Sequence, residues 1–157
     1  MNTTHTAEHL APTACTLGEG PVWHHGALWF VDIERGTLNR LRDDGFVESF
    51  DAGQRIGFAT PTTRGDWIVG LQLGLARWVP GGSPPAVFHD PEPGEPNNRF
   101  NDGKADPTGR LYAGTINMPC DGPHAALYRI GTDLTVTSVR TGVTISNGLA
   151  WDARRHA

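Results

Sequence analysis

The sequence predicts an all-β fold organised as a β-propeller, and three observations lead there. Glycine (20) and proline (12) are abundant in the 157 residues, which is typical of many short strands joined by turns. Short β-rich runs alternate with turn sequences along the chain. Segments of the form x-Gly-x-(Ala/Val) recur, with glycines at 20, 57, 103 and 148. Four strands in roughly 40 to 50 residues is the size of a propeller blade.

Each repeat contains the same succession of strand-like segments. After the x-Gly segment comes an apolar run, then a Leu-x-Arg-apolar segment, then a fourth β-rich run. The apolar runs are 28–31, 67–70 and 111–114, the Leu-x-Arg segments are 38–41, 75–78 and 127–130, and the clear fourth runs are 46–50 and 135–139. A sandwich or a solenoid explains a four-strand period less directly. We interpret the Pro/Gly-rich run 80–96 as a long connection between blades, either part of a substrate rim or a plain surface loop.

Composition and charge narrow the class of protein. The formal net charge of -4 leaves no basic face for phosphates, so no nucleic-acid partner is expected. No run approaches the roughly 18 apolar residues of a membrane span, and no membrane or protein partner is predicted. We expect residues 1–16, which are polar, to be a flexible segment before a single partial propeller domain over 17–157. The two distant cysteines, Cys15 and Cys120, suggest free thiols in a cytoplasmic protein.

The residue before each repeated glycine is of chemical interest. The first strand of a propeller blade lines the central channel, so equivalent residues of successive blades face one another. The glycine alignment places Glu19, Asp102 and Asn147 at one level of the channel, with the apolar Ile56 among them. Carboxylate and carboxamide oxygens are ligands of hard cations, and the lack of His and Cys disfavours a nitrogen/sulfur zinc site. Solvated acids, or acids paired with arginine, would give the same pattern.

One segment resembles a known family closely. Residues 97–115, Asn-Asn-Arg-Phe-Asn-Asp-Gly-Lys-Ala-Asp-Pro-Thr-Gly-Arg-Leu-Tyr-Ala-Gly-Thr, resemble the signature of the regucalcin (senescence marker protein) and gluconolactonase family. Residues 17–23 and 145–151 resemble its first blade and a later metal-ligand strand, so the resemblance covers 17–152. It implies a six-bladed propeller that holds one divalent cation, whether Ca, Zn, Mn, Mg or Fe, and opens a small-molecule sugar lactone to the free acid.

The resemblance also implies roles for individual residues. Glu19 and Asn147 match two metal ligands of the family, while Arg99 and Asn101 match residues that hold the lactone. Asp102, next to Asn101, could hold a water or orient a ligand. An aspartate that merely begins a strand, without a role in the site, explains it equally well. The family's third ligand, an Asp that is also the proposed catalytic acid/base, is expected beyond residue 157, so the catalytic residue is unknown. Some family members have a substrate-contacting Glu at a position that falls near Pro119 here, where this sequence has no Glu. The resemblance therefore does not carry over the sugar specificity.

Two classes of function follow. The first is a metal-dependent sugar lactonase, and the alternative is a calcium-binding regucalcin-like protein or a catalytically silent propeller scaffold. Six blades of about 45 residues need roughly 270 residues, so this chain supplies about three blades and the first strand of a fourth. Because half a ring exposes blade faces that normally pack on neighbours, we expect the chain alone to be inactive, poorly stable or self-associating.

Overall fold

The computed structural model describes residues 4–152, in which twelve strands form three four-stranded sheets. Each sheet is an antiparallel meander in which consecutive strands are neighbours, and we number the sheets as blades 1 to 3 in chain order. This confirms the all-β fold and the three four-stranded repeats. Blade 1 contains β1 (Gly18–His24), β2 (Ala27–Asp32), β3 (Thr37–Leu41) and β4 (Val47–Asp51); blade 2 contains β5 (Ile56–Pro61), β6 (Trp67–Leu71), β7 (Gly74–Trp78) and β8 (Ala86–His89); blade 3 contains β9 (Asn98–Ala105), β10 (Leu111–Asn117), β11 (Ala125–Ile130) and β12 (Val136–Val143).

Two predicted features differ in the structure. The run 80–96 is not one connection, because β8 lies inside it, a short and mostly exposed strand that pairs only with β7. The expected first strand of a fourth blade does not form over 144–152; Ile145 makes an isolated bridge to Ile116 instead. An inner strand forms by pairing with the second strand of its own blade, and residues 4–152 contain no such partner for this segment. Residues 1–3 and 153–157 lie outside the described part of the chain.

Every inner strand contains a β-bulge, where it advances by one residue more than its partner. In blade 1 the bulge lies between Glu19 and Val22, and Glu19 itself still pairs with Val31. In blades 2 and 3 a single residue is bulged, which is Gly57 in β5 and Asn101 in β9.

The strand pairing can be compared with the alignment made from the sequence. The last residues of the three apolar runs, Val31, Gly70 and Gly114, pair with Glu19, Phe58 and Asp102. This register agrees with the alignment of Glu19 with Asp102, and it places Phe58 rather than Ile56 at that level in blade 2. A glycine does not keep a fixed place relative to the bulge, and only the strand pairing shows where the extra residue lies.

The core lies between the blades. Blade 2 presents Trp67, Val69 and Leu71 of β6 to blade 1, whereas Ile68 faces blade 3, as the alternation of side chains on a strand requires. The cluster between blades 2 and 3 is centred on Phe58 and Phe100, whose ring centroids lie 5.9 Å apart at a steep angle. Both clusters are continuous across a blade boundary, so the sheets pack face to face as propeller blades do.

The N-terminal segment contacts blade 1 at its end. The Thr16 and Leu17 amides donate to the buried Asp32 carboxylate at 2.8 and 3.1 Å, and Ala11 is buried. Cys15 and Cys120 are free, as predicted. Within residues 4–152, we find no helix with the length and apolar character needed to cross a membrane.

Candidate functional site

The structure brings Arg99 and Asn101 together at the beginning of β9. Arg99 is only 6% exposed, and its Nη1 donates to the Asn101 Oδ1 and to the Phe100 carbonyl, both at 3.0 Å. Its Nε is buried and has no hydrogen-bond partner within residues 4–152. The two sequence-predicted substrate residues lie on either side of Phe100, at the bulge of β9, and form one hydrogen-bonded unit.

The Arg99 guanidinium is a cation in a poorly hydrated place. Burial lowers its pKa from the ordinary 12.5, the Glu34 carboxylate raises it, and the Arg55 cation lowers it further. Arg55 is itself held between blades, with its Nε 2.9 Å from the Glu34 Oε2 and its Nη1 3.2 Å from the Gln72 Oε1. Because an arginine pKa starts so far above neutrality, Arg99 keeps its charge at pH 7.

Residues 146–148 pack against the bulge of β9. The Asn101 Nδ2 donates to the Ser146 carbonyl at 2.9 Å, and the Gly148 amide donates to the Asp102 Oδ2 at 2.8 Å. The other Asp102 oxygen accepts from the Gly103 amide at 2.8 Å. Asp102 therefore acts as an acceptor that holds the segment carrying Asn147 in place.

Gly57, the bulge residue of blade 2, lies where there is no room for a side chain. A Cβ at this position would lie 2.2 Å from the Phe100 carbonyl oxygen, which is the same oxygen that accepts from Arg99. The close approach of β5 to β9 thus brings the backbone of blade 2 against the base of the Arg99 site.

Glu19 and Asn147 are both exposed, and residues 4–152 include no group of three or more His, Cys, Asp or Glu side chains placed to hold a metal. Glu19 pairs with Val31 just before the bulge of β1, and it lies beside an apolar groove of about 310 Å³ lined by Leu28, Phe30 and Leu41. Carboxylate and amide oxygens fit a hard cation in ligand type. Two such ligands are fewer than such an ion requires, and the metal assignment stays a prediction.

A cavity of about 190 Å³ lies between blades 2 and 3 beside Arg99. Among its lining residues is Glu92, which sequence reasoning missed, and whose carboxylate accepts hydrogen bonds from Asn98, Thr115 and Tyr128. The sequence did indicate that the run 80–96 could border the substrate. It offered no signal for this residue, because the three donors come from three different strands of blade 3.

Comparison with known proteins places the chain in a family. The family described as SMP-30/Gluconolactonase/LRE-like region matches residues 17–156. The chain is 37% identical over 154 residues to pentonolactonase XacC of Haloferax volcanii, covering 96% of this chain and 51% of that protein. It is 36% identical over 142 residues to regucalcin of Danio rerio, covering 86% and 47% respectively.

Solved structures agree with the sequence matches. A luciferin-regenerating enzyme superposes with a TM-score of 0.79 and 31% identity, covering 89% of this chain and 50% of that one. The regucalcin of Agrobacterium tumefaciens has the same TM-score at 22% identity over 87% of this chain and 47% of its own length, which supports the fold. This chain spans about half the length of the relatives it matches. It belongs to the SMP-30/gluconolactonase/LRE-like family.

Proposed function

We propose that the chain is part of a metal-dependent hydrolase that opens a sugar lactone to the aldonic acid. The observation that carries this proposal is the Arg99–Asn101 unit, a buried cation with an unpartnered Nε–H, fixed at the bulge of β9. The 37% identity to a pentonolactonase supports lactone hydrolysis as the reaction. Three blades in about half the length of the relatives are in keeping with a six-bladed ring in the longer proteins.

Lactone opening requires a polarised carbonyl, an attacking water and a stabilised oxyanion. A divalent cation, when bound, would polarise the carbonyl and lower the pKa of a coordinated water. Glu19 and Asn147 would hold that cation through their oxygens. Arg99 would donate to a ring or carbonyl oxygen on which negative charge develops, and its burial strengthens this interaction. Asn101 is pre-oriented, since its oxygen is held by Arg99 and its nitrogen by Ser146.

The substrate assignment is tested by ligand binding. We expect D-xylono-1,4-lactone to bind the wild-type chain in ligand-observed NMR, and Arg99→Met to weaken that binding at least tenfold. Arg64→Met, at an exposed turn of blade 2, is the control and should bind as the wild type does. Equal binding by the Arg99 variant would contradict the proposal.

The metal assignment is tested by calorimetric titration of the metal-stripped chain with Ca, Zn, Mn, Mg or Fe(II). Glu19→Gln should lower the affinity of the preferred ion at least tenfold, whereas Glu48→Gln in the same blade should not. We also propose that the chain by itself does not turn over lactone. Acid release above the spontaneous rate from a purified, monomeric sample would show that this part of the proposal is wrong.

A calcium-binding role without catalysis is the second candidate. It is favoured by the 36% identity to a regucalcin and by the oxygen-only character of Glu19 and Asn147. The lactone-binding and metal-binding measurements together separate the candidates, because a pure calcium binder would bind the ion and leave D-xylono-1,4-lactone unbound.

A further inference from the structure

One carboxylate outside the assigned site residues collects an unusual set of hydrogen bonds. Glu92 lies in the connection between β8 and β9 and is half-buried. Its Oε1 accepts from the Tyr128 hydroxyl at 2.8 Å and from the Thr115 hydroxyl at 2.9 Å, and its Oε2 accepts from the Asn98 Nδ2 at 2.9 Å. The donors belong to β11, β10 and β9, so a single side chain of the connection binds three strands of blade 3.

The protonation state of the donors suits this arrangement. Burial raises the pKa of Tyr128, and the hydrogen bond to Glu92 raises it further, so the phenol keeps its proton and donates it. The Thr115 hydroxyl accepts from the Ala126 amide at 2.9 Å, and of the two acceptors for its own proton the Glu92 carboxylate at 2.9 Å is nearer than the Ala126 carbonyl at 3.2 Å. Hydrogen bonds to a charged acceptor are the stronger kind, and removing the acceptor leaves buried donors unsatisfied.

The network continues from Asn98 into a second connection. The Asn98 Nδ2 also donates to the His124 carbonyl at 2.8 Å, and its Oδ1 accepts from the Asn117 Nδ2 at 3.3 Å. The Asn117 Oδ1 in turn accepts from the Asp121 amide at 3.3 Å. Asn98 and Asn117 are 5% and 3% exposed, so both side chains and the hydrogen bond between them are buried. Glu92 thereby fixes its own connection and, through Asn98, the β10–β11 connection at 118–124.

Arg99 follows Asn98 directly in β9, and it lines the same cavity as Glu92. We infer that Glu92 is a positioning residue, whose carboxylate clamps the two connections that flank the start of β9 and thereby fixes the guanidinium of Arg99 toward the lactone. This inference rests on the proposed function for the ligand, but the clamp itself is a property of the chain.

The test uses Glu92→Ala with Glu95→Ala as the matched control, an exposed glutamate three residues along the same connection. Backbone hydrogen–deuterium exchange, followed by mass spectrometry, should rise at least tenfold over 118–124 in Glu92→Ala and remain unchanged in the control. The β6 strand serves as the internal reference. The Arg99 Nε–H signal in a nitrogen-15 spectrum, assigned with Arg99→Lys, should broaden or shift in Glu92→Ala only. Binding of D-xylono-1,4-lactone should weaken at least fivefold.

Conservative variants separate positioning from a general loss of structure. Glu92→Gln keeps one acceptor oxygen and should give an intermediate result, while Thr115→Val and Tyr128→Phe each remove one donor and should each raise exchange over 118–124 by less. Wild-type protection over 118–124 and an unchanged Arg99 signal in Glu92→Ala would overturn the inference. Increased exchange in β6 as well would mean that Glu92→Ala loosens the whole chain, and the single-donor variants then decide. Wild-type protection over 118–124 in both of them would overturn the inference. Absence of lactone binding by the wild-type chain would instead overturn the proposed function, and the exchange and Arg99 measurements would still decide whether Glu92 is the clamp.

Discussion

Blade 2 and the blades on either side of it share a repeat but differ in what surrounds them. All five residues of β6 are buried, and so are the first four of β5. By contrast, no residue of β1, the inner strand of blade 1, is buried, and only the first three residues of β9, the inner strand of blade 3, are buried. The same strand pattern therefore gives core in one blade and surface in another. We infer that the stability of this chain depends on the interfaces between blades, as in other repeat architectures where each unit contacts only its neighbours.

The candidate substrate site lies on one of these interfaces. Arg99 bonds to the Phe100 carbonyl, the Phe100 ring packs on Phe58 of blade 2, and Gly57 of blade 2 covers that carbonyl. Buried contacts on both sides thus hold the guanidinium, whereas Glu19 on the open blade 1 is exposed. The contrast between blades consequently extends from the core to the candidate site, and variants at matched positions test it.

The largest difference in stability is expected between variants of a phenylalanine buried between blades and of a phenylalanine exposed on blade 1. Phe58 is 1% exposed between blades 2 and 3, whereas Phe46 in blade 1 is 59% exposed. Phe58→Ala should lower the free energy of unfolding by about 3 to 5 kcal/mol, since it removes the centre of a packed cluster. Phe46→Ala should change it by less than about 0.5 kcal/mol. Urea unfolding curves measure both, and similar midpoints for the two variants would contradict the comparison.

A backbone contact tests the same interface without removing any side chain. Gly57→Ala would place a Cβ 2.2 Å from the Phe100 carbonyl oxygen, which is backbone and cannot rotate away. We expect a loss of about 3 kcal/mol as β9 is pushed from β5, accompanied by a shift of the Arg99 Nε–H signal. Gly94→Ala is the control, because nothing lies within 4 Å of that Cβ. A Gly57→Ala chain as stable as the control would show that β5 and β9 separate without cost.

The repeat could be predicted from sequence because its cause is local. Strand alternation and turn glycines are encoded within each blade, and the turn at His25-Gly26 forms with positive φ at both residues, as a tight hairpin requires. Arg99 and Asn101 were proposed as substrate residues because a long motif resembles a known family, and their hydrogen bond is local because they lie two residues apart on β9.

The parts that could not be predicted depend on contacts between distant segments. The bulge at Asn101 is visible only in the pairing of β9 with β10. Glu92 receives its donors from three strands that follow it in sequence, and β8 is too short and exposed to show an alternation. The segment 145–151 was expected to begin a fourth blade, but it has no partner strand within residues 4–152, and residues 146–148 bind Asn101 and Asp102 instead.

A smaller effect is expected at Asp106, whose partners lie within its own turn in blade 3. Burial alone would raise the pKa of Asp106, but hydrogen bonds from Thr108 and Arg110 outweigh it and lower the pKa to about 2. The stabilisation is therefore complete above the ordinary value of 3.8 and is lost as the pH falls from there toward 2. Asp106→Asn should cost about 2 kcal/mol at pH 7, and the difference from wild type should shrink below pH 4.

Asp43→Asn, at an exposed turn of blade 1, is the control and should follow the wild-type pH profile. Because the partners of Asp106 are local, its effect should add to that of Phe58→Ala in the double variant. A pH-independent difference between Asp106→Asn and wild type would show that the carboxylate charge is not what stabilises this turn. Marked non-additivity would show that the turn of the flanking blade depends on the interface after all.

The smallest effect is expected where charge, rather than apolar packing, joins two blades. The Arg55–Glu34 pair links blade 2 to blade 1 at 2.9 Å, and the two side chains are 39% and 36% exposed. Because an exposed pair is screened by solvent, Glu34→Gln should cost at most about 1 kcal/mol at low salt and nothing measurable at high salt. Glu48→Gln, which alters pairs to Arg40 and Arg42 inside blade 1, is the matched control.

Urea unfolding curves at two salt concentrations are the measurement, because guanidinium chloride would itself screen the charges. A salt-resistant loss of several kcal/mol for Glu34→Gln would mean that blades 1 and 2 are joined by this ion pair as much as by the Trp67, Val69 and Leu71 face.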